Sequence, residues 1–315
     1  MLSSHSLMSA GFALVSLLEL GNAYTLVATY DSTNFFDEFS FFTGADPTDG
    51  FVDYVSQSVA DSADLVSYQN GQVYLGVDHT TNNPTGGRES VRLSSNEAFT
   101  QGLFLADIAH MPGGICGTWP AFWMFGPNWP AGGEIDIIEG VNDQATDSIT
   151  LHTASGCSVS NSGSLAGTAT VGSNCNANNA NDGCGVSTSN TNGYGAGFNA
   201  IGGGVYATQW TSSGIYVWFF ERGSIPSDIT DGNPDTSGWG SPTASFSGGG
   251  CDFDSYFQNN NIVFDTTFCG SWAGAVWDST GSCGSLADTC QDYVAGNPGA
   301  FVDAYWAINS VKVYQ

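Results

Sequence analysis

Three acids stand in the stretch GGEIDIIEG, residues 132–140: Glu134, Asp136 and Glu139, set among three isoleucines. The chain has only seven glutamates, and two of them fall here within six residues. Carboxylates inside an apolar strand are costly unless they are paired or hydrogen-bonded, so their presence asks for a purpose. Side chains alternate between the faces of a strand, which puts Glu134 and Asp136 on one face and Ile135 and Ile137 on the other. Glu139 breaks the parity, and one extra residue restores it. A β-bulge at Ile137-Ile138 turns both isoleucines to the core and returns Glu139 to the acidic face.

Three carboxyls in a row, each about 6–7 Å along the strand from the next, let the two longer glutamates lean together across the aspartate. A gap of about 5–5.5 Å between two carboxyl groups suits glycoside cleavage with retention, in which one attacks the sugar and the other handles the proton. Like charges so close cannot all ionise, so one group keeps a proton at working pH. A calcium site or a solvated acidic face is the competing reading. Calcium loops are irregular and use backbone carbonyls, which an alternating strand supplies poorly.

Aromatics cluster just before the acids, in GTWPAFWMFGPNWPAGGEIDIIE. Trp119 and Trp123 are four apart and share a strand face, and Trp129 sits in a Pro-rich turn that argues against deep burial. Rings stack on the C–H patches of sugars, although tryptophans in a β-sandwich are also core residues. His152, in TLHT, falls on the next strand if a hairpin follows, where it faces the carboxylates. Arg88 and Arg92 are half of the four cationic Lys and Arg residues. In so acidic a chain they are expected to pair with carboxylates, and either could reach a sugar hydroxyl.

The elements that must position these groups read as strands. The chain has 315 residues, 42 of them Gly, 13% aromatic and only 11% charged. Such a composition disfavours surface helices and favours strands, turns and polar loops. Short apolar runs at 34–42, 71–78, 89–95, 100–111, 118–126, 133–141 and 147–153 alternate with turn clusters. A low-complexity segment at 153–200 holds three cysteines and is expected to be pinned by disulfides. A hairpin at 204–223 turns near Ser212-Ser213-Gly214, and strands at 261–268 and 301–315 close the chain. Many short strands without intervening helices predict an all-β, antiparallel two-sheet sandwich, as one domain over 24–315.

The net charge of −26 repels phosphate backbones and anionic lipids, so neither nucleic acid nor a membrane is an expected partner. A neutral ligand suits it, although the acidity also serves solubility. An apolar run from Leu7 to Leu18 ends at Gly21-Asn22-Ala23, which predicts a signal peptide over 1–23 and a secreted protein, despite the absence of a basic start. Eight cysteines then predict four disulfides among 105 pairings. With no C-x-x-C and scattered histidines, no metal or other cofactor is expected.

Glu-Ile-Asp-Ile-Ile-Glu, after WPAFW, resembles the bulged E-x-D-x-x-E signature of glycoside hydrolase family 16. The stretches FFDEFSFFTGADPTDGFVDYV (35–55), GRESVRL (87–93), FFERGSIPSDI (219–229) and TTFCGSWAGAVW (266–277) resemble its fungal laminarinase-like members, and the likeness runs over nearly everything after residue 24. The resemblance implies a concanavalin-like jelly roll with a concave cleft, acting as a monomer on β-1,3- or mixed β-1,3/1,4-glucan. It implies Glu134 as nucleophile, Glu139 as acid/base and Asp136 as the assisting carboxylate. Trp119, Trp123, Trp129 and His152 would line sugar subsites, with Arg92 and Trp272 as further substrate contacts. Ser271 stands where the fungal pattern usually carries an acid. A glucan-binding protein without activity and a cell-wall transglycosylase are the other functions open to the same fold.

Overall fold

The computed structural model describes residues 24–160, 169–177, 183–279 and 281–315. The expected signal peptide at 1–23 lies outside the described residues. Two antiparallel sheets of eight strands each make up the body, joined by a small parallel pair, Val52–Tyr54 with Arg88–Ser90. The first sheet runs, from one edge, through Ala169–Val171, Cys184–Ser187, Ser148–His152, Glu134–Glu139, Thr118–Phe125, Asn260–Phe268, Arg92–Phe99 and Phe39–Phe41. The acidic strand is therefore central, with the tryptophan-bearing strand on one side and the strand of His152 on the other. The second sheet is built around Gly102–His110, flanked by the hairpin Gly204–Thr211 and Gly214–Glu221 and by the last strand, Trp306–Tyr314.

The core lies between the sheets. Ile135, Phe122, Ile262, Phe264 and Leu93 come from the first, and Phe104, Ile108, Trp210, Ile308 and Val311 from the second, all essentially buried. The alternate residues of the first sheet face outward and form the site. The outer face of the second sheet is covered by the segment after the hairpin, where Ile229 and Trp239 pack on Leu105, Ala207 and Trp218.

Several expected strands differ in detail, and the rings explain why. The run 34–42 is a helical turn, Phe35–Glu38, followed by a strand, Phe39–Phe41. Phe35 and Phe39 stack with centroids 4.0 Å apart, and a helical turn is what brings residues four apart onto one side. The run 89–95 divides at Val91 into Arg88–Ser90 and Arg92–Phe99, which belong to different sheets. At the C-terminus a 3-10 turn, Pro298–Phe301, precedes the strand Trp306–Tyr314. Helices do intervene between strands, but all are short, the longest among the described residues being Cys290–Gly296.

All eight cysteines pair, as Cys116–Cys283, Cys157–Cys251, Cys175–Cys184 and Cys269–Cys290. Two of the four bonds hold the segment 153–200, which also carries the strand Cys184–Ser187 and the helix Gly195–Ala200. The other two tether 270–304 to the end of the first sheet.

Arg88 lies beneath that tethered segment with no exposed surface. Its guanidinium meets the Asp78 carboxylate at 2.8 Å and donates to the carbonyls of Asp78, Thr81, Val294 and Ala295. Its partners account fully for it, so it is structural and not a sugar contact. Removing one member of a buried pair strands the other charge. Arg88→Met is therefore expected to cost about 3–5 kcal/mol of stability, read from urea unfolding midpoints.

Candidate active site

The acidic strand carries the bulge. Glu134 pairs with Phe125, Ile135 with Met124 and Asp136 with Trp123; pairing then resumes one residue late, Ile138 with Phe122 and Glu139 with Ala121. Ile137 is the extra residue. Ile135, Ile137 and Ile138 are all fully buried in the core, while Glu134, Asp136 and Glu139 line one cavity of about 330 Å³ on the opposite face. A single inserted residue thus decides whether Glu139 meets the cavity or the core.

Each acid has a defined partner. The Trp129 indole N–H donates to Glu134 Oε2, and Trp119 Nε1–H donates to Glu139 Oε1 at 2.8 Å. His152 pairs across the strands with Glu134, and its Nε2 lies 3.2 Å from Asp136 Oδ2. That contact is close enough for an ion pair but not aligned as a hydrogen bond.

Trp129 is 53% exposed and overhangs the cavity, whereas Trp123 is 9% exposed and forms its floor, stacked on Phe125 at 5.0 Å. Trp272 meets Trp119 edge to face at 5.6 Å. Arg92 lines the same cavity, its guanidinium over the rings of Trp123 at 4.7 Å and Phe42 at 4.9 Å. No ion pair holds it among the described residues; the rings do. The structure thus gathers Glu134, Asp136, Glu139, Trp119, Trp123, Trp129 and Arg92 around one cavity, with His152 in close contact with Asp136 and Trp272 packed on Trp119.

Other residues of the site escaped the sequence reading. One cross-strand row runs Glu139, Ala121, Asp265, Arg92, so the small Ala121 leaves room between two acids. Asp265 is nearly buried and accepts from the Tyr54 hydroxyl at 3.3 Å. A lone acid inside NIVFDTTF was a signal of the same kind as the acids of the central strand. Asp46 closes that end of the cavity, its Oδ2 accepting from Thr48 and Thr267 hydroxyls, each at 2.7 Å.

Crowding sets the protonation. Burial, then the charge of Asp136, pushes Glu134 up to about 8; His152, the Trp129 N–H and Arg92 pull the other way. Burial and the neighbouring Asp265 raise Asp136 well above the ordinary aspartate range, and burial and Asp136 do the same to Glu139. Asp265 rises to about 6 through burial, with Arg92 opposing. Behind the bulge, burial lifts Asp147 to about 8. The cluster therefore holds fewer charges than carboxyls.

A linked effect on stability follows. Each of these acids binds its proton more tightly folded than unfolded, so its contribution is full below about pH 4 and is lost as pH climbs toward its folded value, about 6 for Asp265 and about 8 for Glu134 and Asp147. Asp78 works oppositely: burial pushes it up, but the Thr80 and Thr81 N–H groups and Arg88 outweigh that and hold it low, so its contribution is lost only in acid. The melting temperature is expected to fall on the order of 5–10 °C between pH 5 and pH 8, as read by calorimetry. A profile rising over that range would contradict this.

Comparison with known proteins agrees with the geometry. The family described as "XgeA-like, catalytic GH16 domain" matches residues 39–314. The chain belongs to glycoside hydrolase family 16. An endo-1,3(4)-β-glucanase of Arthroderma benhamiae is 47% identical over 306 residues, which cover 95% of this chain and 67% of that protein. A probable endo-1,3(4)-β-glucanase of Aspergillus clavatus is 47% identical over 325 residues, covering 100% of this chain and 50% of its own length. The chain thus spans from about half to two thirds of these two relatives.

Among solved structures, Laminarinase 16A from Phanerochaete chrysosporium, with 6-O-glucosyl-laminaritriose in both donor and acceptor sites, superposes with a TM-score of 0.87 at 43% identity. An elongating family 16 β-1,3-glucosyltransferase superposes at 0.86 with 46% identity. Both alignments cover 93% of this chain and 100% of the other. These likenesses agree with the jelly-roll sandwich of this family 16 domain.

Proposed function

We propose that this family 16 domain is a secreted, retaining endo-β-glucanase that cleaves internal bonds of β-1,3- and mixed β-1,3/1,4-glucans. The observation that carries the reading is the bulge at Ile137, which turns Glu134 and Glu139 into one cavity with Asp136 between them. Three crowded carboxyls cannot all ionise together, and the charge that does form belongs where the opposing influences are most numerous. That place is Glu134, which has the Trp129 N–H, His152 and Arg92 acting on it.

Glu134 then attacks the anomeric carbon while Glu139, poised by the Trp119 N–H, protonates the departing oxygen. A glycosyl ester forms on Glu134. Glu139, now ionised, takes a proton from water, and that water cleaves the ester with net retention. Asp136 holds its proton between the two glutamates and lets the charge on Glu134 exist without a second charge beside it. Trp129 and Trp119, at opposite ends of the acidic row, offer ring faces to sugars on either side of the cleaved bond. The cavity sets tryptophan and phenylalanine rings beside hydrogen-bonding carboxyls, which suits the C–H patches and hydroxyls of a sugar chain. Four disulfides support an oxidising destination.

A second reading, glucan chain transfer, gains support from the 46% likeness to the glucosyltransferase. The same ester serves both outcomes, because a sugar hydroxyl can take the place of water. The deciding experiment analyses products from laminarin, lichenan and a galactan under identical conditions. Short oligosaccharides from the first two, released in the β-configuration, support the endo-glucanase. Products longer than the substrate at high acceptor concentration support transfer. Tight laminarin binding without any cleavage sinks both in favour of a binding protein.

A further inference from the structure

Strand pairing between the acidic strand and Ser148–His152 covers Glu134, Ile135 and Asp136 only. Past the bulge, the Glu139 backbone N–H turns to a side chain instead: it donates to Asp147 Oδ1 at 2.9 Å. Asp147 has no exposed surface, and none of the ion pairs among the described residues includes it. Its own N–H donates to Thr188 Oγ1 at 3.1 Å, which fixes its backbone.

The other carboxyl oxygen raises a question of hydrogen count. The Tyr206 hydroxyl lies 3.0 Å from Asp147 Oδ2 and 2.7 Å from the Gly193 carbonyl oxygen. That hydroxyl has one hydrogen and two neighbours that both need one. Tyr206 can donate to either oxygen; the Gly193 carbonyl is the nearer acceptor, and with the hydrogen pointing there the contact with Asp147 Oδ2 is supplied with a hydrogen only if Asp147 carries it.

We propose that Asp147 is a neutral carboxylic acid that positions Glu139: its carbonyl oxygen accepts the Glu139 N–H, and its own O–H donates to Tyr206, which donates in turn to Gly193. Asp147 touches no substrate; it acts through the backbone of the bulge and rests on the reading of Glu139 as acid/base. The titratable groups that act on it or feel it are Tyr206, Tyr194, Glu139 and Asp136, and no cation is among them. A charge there would have no cation opposite it, only the Glu139 and Ser148 N–H groups and the Tyr206 hydroxyl, and burial outweighs these in favour of the protonated form.

The isosteric amide tests this, because asparagine supplies the acceptor and the donor that a neutral acid supplies. Asp147→Ala is expected to lower kcat at least about tenfold with KM little changed, through a displaced Glu139. Asp147→Asn is expected to recover kcat to within about threefold of wild type at pH 5. Since the amide cannot ionise, its melting temperature should also fall less than wild type's between pH 5 and pH 8. Loss of about 100-fold in kcat for Asp147→Asn, an unchanged pH slope of its melting temperature, or its failure to fold would each overturn the proposal, because each marks a charged carboxylate or a different bonding pattern. If Glu139 is not the acid/base, Glu139→Gln keeps its turnover while the pH slope of melting for Asp147→Asn still reports on the proton.

Discussion

Glu134→Gln is expected to lower the rate of laminarin cleavage by roughly 10⁴-fold or more while the protein stays folded. An amide has the shape of the carboxyl and still accepts the Trp129 N–H, so the bulge and the cavity wall stay in place. What it lacks is the nucleophilic oxygen, and without it no glycosyl ester forms. The change removes a group that burial and Asp136 have pushed up to about 8, so stability near neutral pH should hold or rise. Lost activity with an unchanged or higher melting temperature therefore separates a chemical role from a structural one. A sharper check replaces the side chain altogether. With Glu134→Ala, added azide enters from the vacated face and yields an inverted, α-configured glycosyl azide. Turnover within tenfold of wild type for Glu134→Gln, or a β-configured azide, would remove Glu134 from the reaction.

The parity of the acidic strand was legible because it depends on counting alone. Five positions separate Glu134 from Glu139, isoleucines fill the gap, and only a bulge satisfies both faces; the register shows it at Ile137. Trp129 was legible for a similar local reason, since its Pro-rich turn keeps it 53% exposed. The pairing of the cysteines was not. Cys157 and Cys251 are 94 residues apart, and nothing near either one names its partner. The strand expected at 34–42 failed where two rings four apart were stronger than the β-propensity of the run, because Phe35 could stack on Phe39 only through a helical turn.

The missed members of the site share a cause. Asp265 joins Glu139 and the expected Arg92 through a row across four strands, and Asp46 closes the same end of the cavity; sheet order is a property of the whole chain. Arg92 was expected among carboxylates or sugars, and its closest neighbours are in fact rings, with Asp265 opposite it in the ladder. Asp147 reads in sequence as no more than the polar first residue of the strand expected at 147–153. Only the end of strand pairing at Asp136 reveals that a side chain takes over the hydrogen bonding of the bulge. The chemistry of this family 16 domain is thus written locally, and its support is written in the topology.

Glu139→Gln should behave differently from Glu134→Gln, and the difference is the strongest test of the division of labour between them. Glutamine has no proton to give at the departing oxygen, so laminarin cleavage is expected to drop by roughly 10²–10⁴-fold. An aryl β-glucoside oligomer with an acidic phenol needs no such help to leave. Its first step should run at nearly the wild-type rate, giving a burst of phenol. The ester on Glu134 then waits for water that no base activates, so steady-state turnover stays low. Glu134→Gln gives no burst with either substrate. The pH profile supplies a further check. Burial and Asp136 raise Glu139 well above the ordinary glutamate range, so wild-type turnover of laminarin falls on the alkaline side as that proton is lost. The burst with the aryl substrate should lose this alkaline limb in Glu139→Gln. A burst from Glu134→Gln, or equal losses on both substrates for Glu139→Gln, would mean that the two glutamates have been given each other's roles or that neither is the acid.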